Sequence, residues 1–226
     1  MFILKLNTQV GIQTTMTDIE NRFVKQTYTV IAEDFDDTRY CVWNFVKQFL
    51  SDKGSILGID IGCGNGKNMI HASMIGVDDC IKFVDICKTK GKYAIQGCCC
   101  DLPFNDNTFD YAICISVVHH LSTHDRRMKA IQEMVRVVKP GGQILFNMWS
   151  VENQDKRQFV QGDNYVSWSM KPKRNKITES FLRYYYINDM NSMNTFCEGI
   201  VAVFNVTMNI IYNEKGNWVV HLTKGK

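Results

Sequence analysis

The sequence predicts a single doubly wound α/β domain. Apolar runs of strand length alternate with stretches of helical spacing, a glycine-rich turn follows the first such run, and two strand-like segments close the chain. At 226 residues and 45% hydrophobic content the chain has the size of one domain with a full core. Residues 1–20 read as an N-terminal extension and 21–226 as the domain.

The elements follow in order. Segments 24–35 and 40–50 carry apolar residues at helical spacing, with Tyr28, Ile31, Phe35, Val42, Phe45, Val46 and Phe49 on the buried stripes. Residues 55–61 form the first strand, ending in Gly62-Cys63-Gly64-Asn65-Gly66, and 67–75 resume helical spacing. Residues 80–84 read as a second strand stopping at Asp85, and 93–100 as a third stopping at Asp101. A fourth strand spans 110–116. An amphipathic helix follows over 125–138, with Ser122 as the start of its capping box. Lys139-Pro140-Gly141-Gly142 ends that helix, because proline disfavours helix for its predecessor and glycine accepts left-handed turns. A fifth strand runs over 143–148. Residues 151–180 are polar and irregular and read as an insertion over the active face. A short helix over 189–198 precedes a hairpin of 200–212 and 217–222.

Lys plus Arg number 26 against 23 for Asp plus Glu, a weakly basic balance that does not by itself demand a nucleic-acid partner. Nine cysteines occur, three of them consecutive as Cys98, Cys99 and Cys100. On a strand, neighbouring side chains point to opposite faces, so no metal site is expected and reduced, apolar thiols are. The apolar stretch 2–6 is too short for a signal segment, which leaves membrane spanning unsupported and a cytoplasmic or also nuclear location expected.

The strongest chemical signal is Asp60-Ile61-Gly62-Cys63-Gly64-Asn65-Gly66, where Gly62, Gly64 and Gly66 let the backbone turn sharply and approach a ligand. A dinucleotide site usually carries another glycine at the next position, which here is Lys67, and Asp60 is ill suited to a pyrophosphate. A carboxylate there suits an ammonium group, as in the methionine part of S-adenosylmethionine. Asp85, 23 residues after Gly62, is expected to accept the ribose hydroxyls, and Asp101 with Leu102 to meet the adenine. Ser116, at the end of the fourth strand, is expected to line the same crevice. Neither a Gly-Lys-Ser/Thr triphosphate loop nor a Gly-x-Ser-x-Gly elbow occurs.

Beyond the cofactor turn, the sequence resembles the eukaryotic wobble-uridine tRNA carboxymethyl methyltransferases. The resemblance rests on Thr38-Arg39-Tyr40, the glycine turn with Lys67, Asn107-Thr108-Phe109-Asp110, Val117-Val118-His119-His120, Gly141-Gly142-Gln143, Arg183-Tyr184-Tyr185 and Asn217-Trp218-Val219. It implies the class I S-adenosylmethionine-dependent methyltransferase fold, Rossmann-like, with a mostly parallel seven-stranded sheet closed by an antiparallel hairpin. It also implies methyl ester formation on the carboxylate of 5-carboxymethyluridine in tRNA. Arg39 would then hold that carboxylate, with His119 and Tyr184 as further catalytic groups. His120, Arg127, Tyr185, Lys173 and Arg174 would contact substrate. Where the family has Arg-Tyr-Tyr-His, this chain has Tyr186 in the last place, and the Lys-rich insertion is reduced to 171–176. The resemblance also implies a small zinc-binding activator subunit, forming a heterodimer by covering the exposed sheet edge between Tyr93 and Cys100.

Overall fold

A computed structural model describes residues 15–152, 158–170 and 179–226. The chain opens with α1 (Asp18–Glu20), continues through a π-helical stretch (Asn21–Gln26) into α2 (Thr27–Thr38), and then forms α3 (Asn44–Leu50). There follow β1 (Gly58–Ile61), β2 (Met74–Asp78), α4 (Ile81–Thr89), β3 (Ala94–Gln96) and β4 (Phe109–Cys114). A 3-10 turn (Val118–His120) leads to α5 (His124–Val137) and β5 (Val138–Trp149). The chain ends with β6 (Gly162–Ser169), β7 (Ser180–Ile187), α6 (Met190–Val203), β8 (Val206–Glu214) and β9 (Asn217–Lys224).

The main sheet has seven strands in the order β3-β2-β1-β4-β5-β9-β8, parallel through β5 and closed by antiparallel β9 and β8. All four residues of β1 are buried, as a central parallel strand covered on both faces requires. At Gly58 an added Cβ would lie 2.1 Å from the Tyr111 ring, so only glycine lets that ring cross the strand. One face of the sheet packs Ile59, Ile61, Phe146 and Val220 against Ile131 and Met134 of α5 and Phe196 of α6. The other packs Tyr111, Ile113 and Leu145 against Phe45, Val46 and Phe49 of α3.

Several elements differ from the sequence reading. The second strand is Met74–Asp78, and the run read as that strand is helix α4, whose Phe83, Val84 and Cys87 are buried at helical spacing. The expected helix over 67–75 is replaced by tight turns. Lys92 Nζ donates to the Gly66 and Met69 carbonyls, so a distant side chain takes up backbone groups that a helix would have satisfied, and the His71 ring ties the segment to the Leu50 carbonyl at the end of α3. The N-cap of α5 is Thr123, whose hydroxyl accepts from the Arg126 amide, whereas the Ser122 amide is drawn to Glu20. Helix α6 runs on to Val203, carrying Ile200 fully buried within it, so the strand expected from residue 200 starts at Val206.

Two further corrections concern the edges of the domain. Glu20 belongs to its interior, 3% exposed and ion-paired with Arg126, so packing begins before residue 21. The segment read as irregular instead supplies β6, which pairs with β7 as a separate antiparallel hairpin from Gly162↔Ile187 to Ser169↔Ser180. The edge strand β3 has three residues where eight were expected, and Cys98 to Asp101 folds back as a turn. Off a strand, the three consecutive cysteine sulfurs converge to within 4.8 Å of one another, so the alternation assumed for them does not hold. All nine cysteines are free.

Candidate active site

The carboxyl ends of β1, β2 and β4 open into one crevice of about 270 Å3, roofed by α2 and by the face of β7 that carries Arg183 and Tyr185. Its two sides differ in chemistry.

The first side is built on the glycine turn. Gly62, Gly64 and Gly66 all have positive φ, at 69°, 53° and 74°. A Cβ on Gly62 would meet Val117 at 2.3 Å, whereas one on Gly64 would meet only Phe35, at 3.9 Å, and would otherwise fill the crevice. Gly62 and Gly64 line the cavity, while Gly66 points its carbonyl at Lys92. Asp60 is fully buried on β1, and neither of its oxygens has a hydrogen-bond partner among the described residues. Burial first, then the nearby Asp78 charge, push its pKa up to about 7, with Lys67 and Lys92 opposing.

The acid at the end of the second strand is Asp78. It lines the cavity and accepts the Gly64 amide at 2.8 Å and the Cys80 amide at 2.9 Å, and burial lifts its pKa to about 6 against those two bonds. Asp85, expected in that place, lies on α4 with its side chain 63% exposed and paired with Lys88, away from the cavity. Asp78 was legible in principle as the last residue of an apolar run, Met74-Ile75-Gly76-Val77-Asp78, once the preceding segment was read as a turn. Asp101 is exposed and Leu102 is buried with its amide on Glu133, and Gly97, Cys98 and Cys99 supply the cavity wall there instead. Ser116 lines the cavity in a left-handed conformation (φ 62°), fixed by its amide donating to Asn147 Oδ1 at 2.7 Å.

The second side gathers residues far apart in sequence. His120 is fully engaged: Nδ1 donates to the Tyr184 carbonyl at 2.7 Å, which leaves Nε2 to accept from the Tyr28 hydroxyl at 3.0 Å. Burial pushes its pKa down to about 3, the Tyr184 bond opposing and Arg183 adding to the fall. His119 is also buried, and Nδ1 accepts the Trp149 amide at 3.1 Å, so Nε2 carries the proton of the neutral ring. That Nε2 is buried without a hydrogen-bond partner among the described residues. Burial, with His120 and Arg183 nearby, holds His119 neutral, and the Ser116 backbone opposes this. Tyr185 lines the cavity, its ring stacked on Trp149 at 4.2 Å.

Arg39 lines the cavity, donates to the Thr38 carbonyl at 3.2 Å and lies 5.0 Å over the Trp168 ring. Arg183, to which the sequence reading gave no role, lines it as well. It is 4% exposed, with its guanidinium 4.7 Å from the Trp168 ring and 5.4 Å from the Tyr185 ring. The signal for it was alternation along β7, which puts residues 183 and 185 on one face.

Tyr184 therefore points the other way, its hydroxyl donating to Asp163 at 2.7 Å outside the cavity. Arg127 is likewise turned inward, bonding the Leu121 carbonyl at 2.8 Å and packing 3.6 Å over Tyr186, while Arg126 pairs with Glu20 at 2.7 Å. Neither arginine is an exposed phosphate contact. Lys173 and Arg174 lie outside the described residues.

Residues 59–146 match the Methyltransferase domain family model. A tRNA (carboxymethyluridine(34)-5-O)-methyltransferase of Schizosaccharomyces pombe is 40% identical over 163 residues, covering 68% of this chain and 71% of the relative. The chain belongs to this tRNA methyltransferase family. An Arabidopsis thaliana enzyme of the same name is 42% identical over 143 residues, 61% of this chain but 35% of the longer relative. In fold, the chain is similar to an S-adenosylmethionine-dependent methyltransferase of Clostridium acetobutylicum, with TM-score 0.65 and 12% identity over 88% of this chain and 100% of that one. It is also similar to a chain from the complex between the Haloferax volcanii Trm112 methyltransferase activator and a methyltransferase, with TM-score 0.60 and 13% identity over 91% and 99% of the two chains.

The residues of the first side fit the cofactor such a methyltransferase requires. The orphaned Asp60 carboxylate suits an ammonium group, the open face of Gly64 leaves room for a ligand against the backbone, and Asp78 retains lone pairs for hydroxyl donors.

Proposed function

We infer that this chain transfers a methyl group from S-adenosylmethionine to the carboxylate of 5-carboxymethyluridine in tRNA, forming the methyl ester. The observation that carries this reading is the chemical contrast across one crevice. Its cofactor side presents the Asp78 carboxylate beside the glycine turn, with the Asp60 carboxylate buried beneath that turn, whereas its acceptor side presents guanidinium groups and neutral histidines. The lining acid Glu20 is taken up by Arg126 and Ser122.

Bound S-adenosylmethionine supplies an activated methyl group on a sulfonium. The acceptor is an anion at neutral pH, so it needs no proton removed and the site needs no general base. Neutral His119 and His120 agree with that requirement. The work left to the protein is alignment and exclusion of water, which the stacked Trp149 and Tyr185 and the cover given by β7 serve.

We further propose that a Trm112-type activator pairs with β3, the sheet-edge strand beside exposed Tyr93. An unprotected apolar edge is an aggregation liability, so the chain purified alone is expected to be poorly soluble and the co-expressed pair monodisperse. Monodisperse, fully active protein obtained without any partner overturns this. The function is tested by incubating the pair with labelled S-adenosylmethionine and tRNA bearing 5-carboxymethyluridine. A base-labile methyl ester at that nucleoside is expected, and cofactor binding without ester overturns the reading.

A further inference from the structure

Arg183 is a buried guanidinium for which the described protein offers no counter-charge. No hydrogen bond or ion pair joins its side chain to any described residue, and its Nε is buried without a partner. Arginine stays protonated in proteins, and a buried charge is ordinarily paired. The Trp168 and Tyr185 rings attract the cation but have no lone pairs in the guanidinium plane, so its N–H groups remain unsatisfied. The Asp34 carboxylate behind that wall accepts from Trp168 Nε1 at 2.7 Å. His119 adds a second buried donor without a partner, its Nε2–H, on the same side of the cavity. The two residues are close enough for the Arg183 charge to oppose protonation of His119.

Arg39 stands differently. Its carbonyl accepts from Asn65 Nδ2 of the glycine turn at 2.8 Å, and its charge helps depress the pKa of Lys67 on the same turn. Arg39 and Lys67 both line the cavity, and the Arg39 main chain is tied to the cofactor turn, where the cofactor's own carboxylate needs a counter-charge.

We infer that Arg183, with the His119 Nε2–H beside it, seats the carboxylate of the acceptor, and that Arg39 serves the cofactor side. The inference rests on the function proposed above and divides two carboxylates between two arginines. A guanidinium meets a carboxylate through a planar fork, which lysine cannot reproduce.

The test compares binding of two tRNAs that differ only in the wobble side chain, carboxymethyl or the uncharged carbamoylmethyl. It uses the chain with its activator and S-adenosylhomocysteine present, and measures cofactor affinity separately by calorimetry. A charge-assisted bond of this kind gives the wild type a preference for the carboxymethyl form of roughly 10- to 100-fold. Arg183→Gln is expected to abolish that preference with cofactor affinity unchanged, which also reports a folded crevice. Arg183→Lys is expected to keep part of it. Arg39→Gln is expected to weaken cofactor binding and keep the preference. An R183Q protein that retains the preference while the wild type forms the ester overturns this inference alone. Wild-type protein that shows no preference and forms no ester overturns the functional reading and this inference together.

Discussion

The two sides of the crevice are built by opposite strategies. The cofactor side is a continuous piece of chain, β1 with its glycine turn and the end of β2, and its Asp78 carboxylate is fixed by backbone amides within that piece. The acceptor side takes single residues from α2, the 3-10 turn, β5, β6 and β7, joined through their side chains. His120 alone ties Tyr28 to the Tyr184 carbonyl. The first strategy gives a rigid platform whose chemistry follows from local sequence. The second gives a pocket that exists only when distant segments meet, so its disruption is expected to spare the cofactor and its loss to follow from remote mutations.

The largest effect expected from this contrast is at Asp60. Asp60→Asn removes the carboxylate under the turn, and calorimetry is expected to show cofactor affinity falling by about 100-fold or more, the scale of a buried charge pair losing one partner. Affinity for carboxymethyl tRNA should change little, and an equal loss of both would break the distinction between the sides. The next largest concerns the joint between the N-terminal helix and α5. Glu20→Gln breaks a buried ion pair and is expected to cost about 3–5 kcal/mol in urea unfolding. A cost near that of an exposed pair would show that this joint does not hold the acceptor wall.

A smaller effect separates two acids. Asp78→Asn is expected to weaken cofactor binding by roughly 10-fold, the value of one charge-assisted hydrogen bond, whereas Asp85→Asn on the outer face of α4 should leave it within twofold. The reverse result would restore the sequence reading. Gly64→Ala introduces a methyl group into open space at positive φ. It is expected to cost about 1 kcal/mol of stability, yet to reduce cofactor affinity more than that figure implies. Equal losses would mean that the turn is structural only.

The smallest effect is in pH. Because the folded pKa of Asp60 is raised to about 7 from 3.8, the unliganded protein holds a proton there that the unfolded chain has released. That contribution to stability is fully present below 3.8 and is lost as pH rises through about 7. An ammonium ligand favours the ionised form, so cofactor affinity should tighten from pH 6 to 8 in the wild type and stay flat in Asp60→Asn. A pH-independent wild type would place Asp60 out of contact with the cofactor.

The fold class and the glycine turn were legible because they depend on residues adjacent in the chain. Apolar runs of strand length, Gly62 and Gly64 at fixed spacing and the closing Asn217-Trp218-Val219 strand each state their role locally. The second strand was misplaced because residues 67–75 have helical spacing while the groups that hold them, Lys92 on the Met69 carbonyl and the Leu50 carbonyl on the His71 ring, lie elsewhere in the chain. Asp85 was chosen over Asp78 for that same reason.

By itself, then, the sequence determined the doubly wound sheet, the position of the cofactor turn and the kind of methyl acceptor its motifs resemble. The first two arise from periodicity and from backbone freedom at a few glycines, and the third rests on the family resemblance of those motifs. Only the tertiary structure decided which of several arginines is taken up by partners inside the fold. Arg126 and Arg127 find Glu20, Leu121 and Tyr186, whereas among the described residues Arg183 meets the Trp168 and Tyr185 rings. Whether a charge is spent inside the fold or left for a ligand depends on partners that no local stretch of chain specifies.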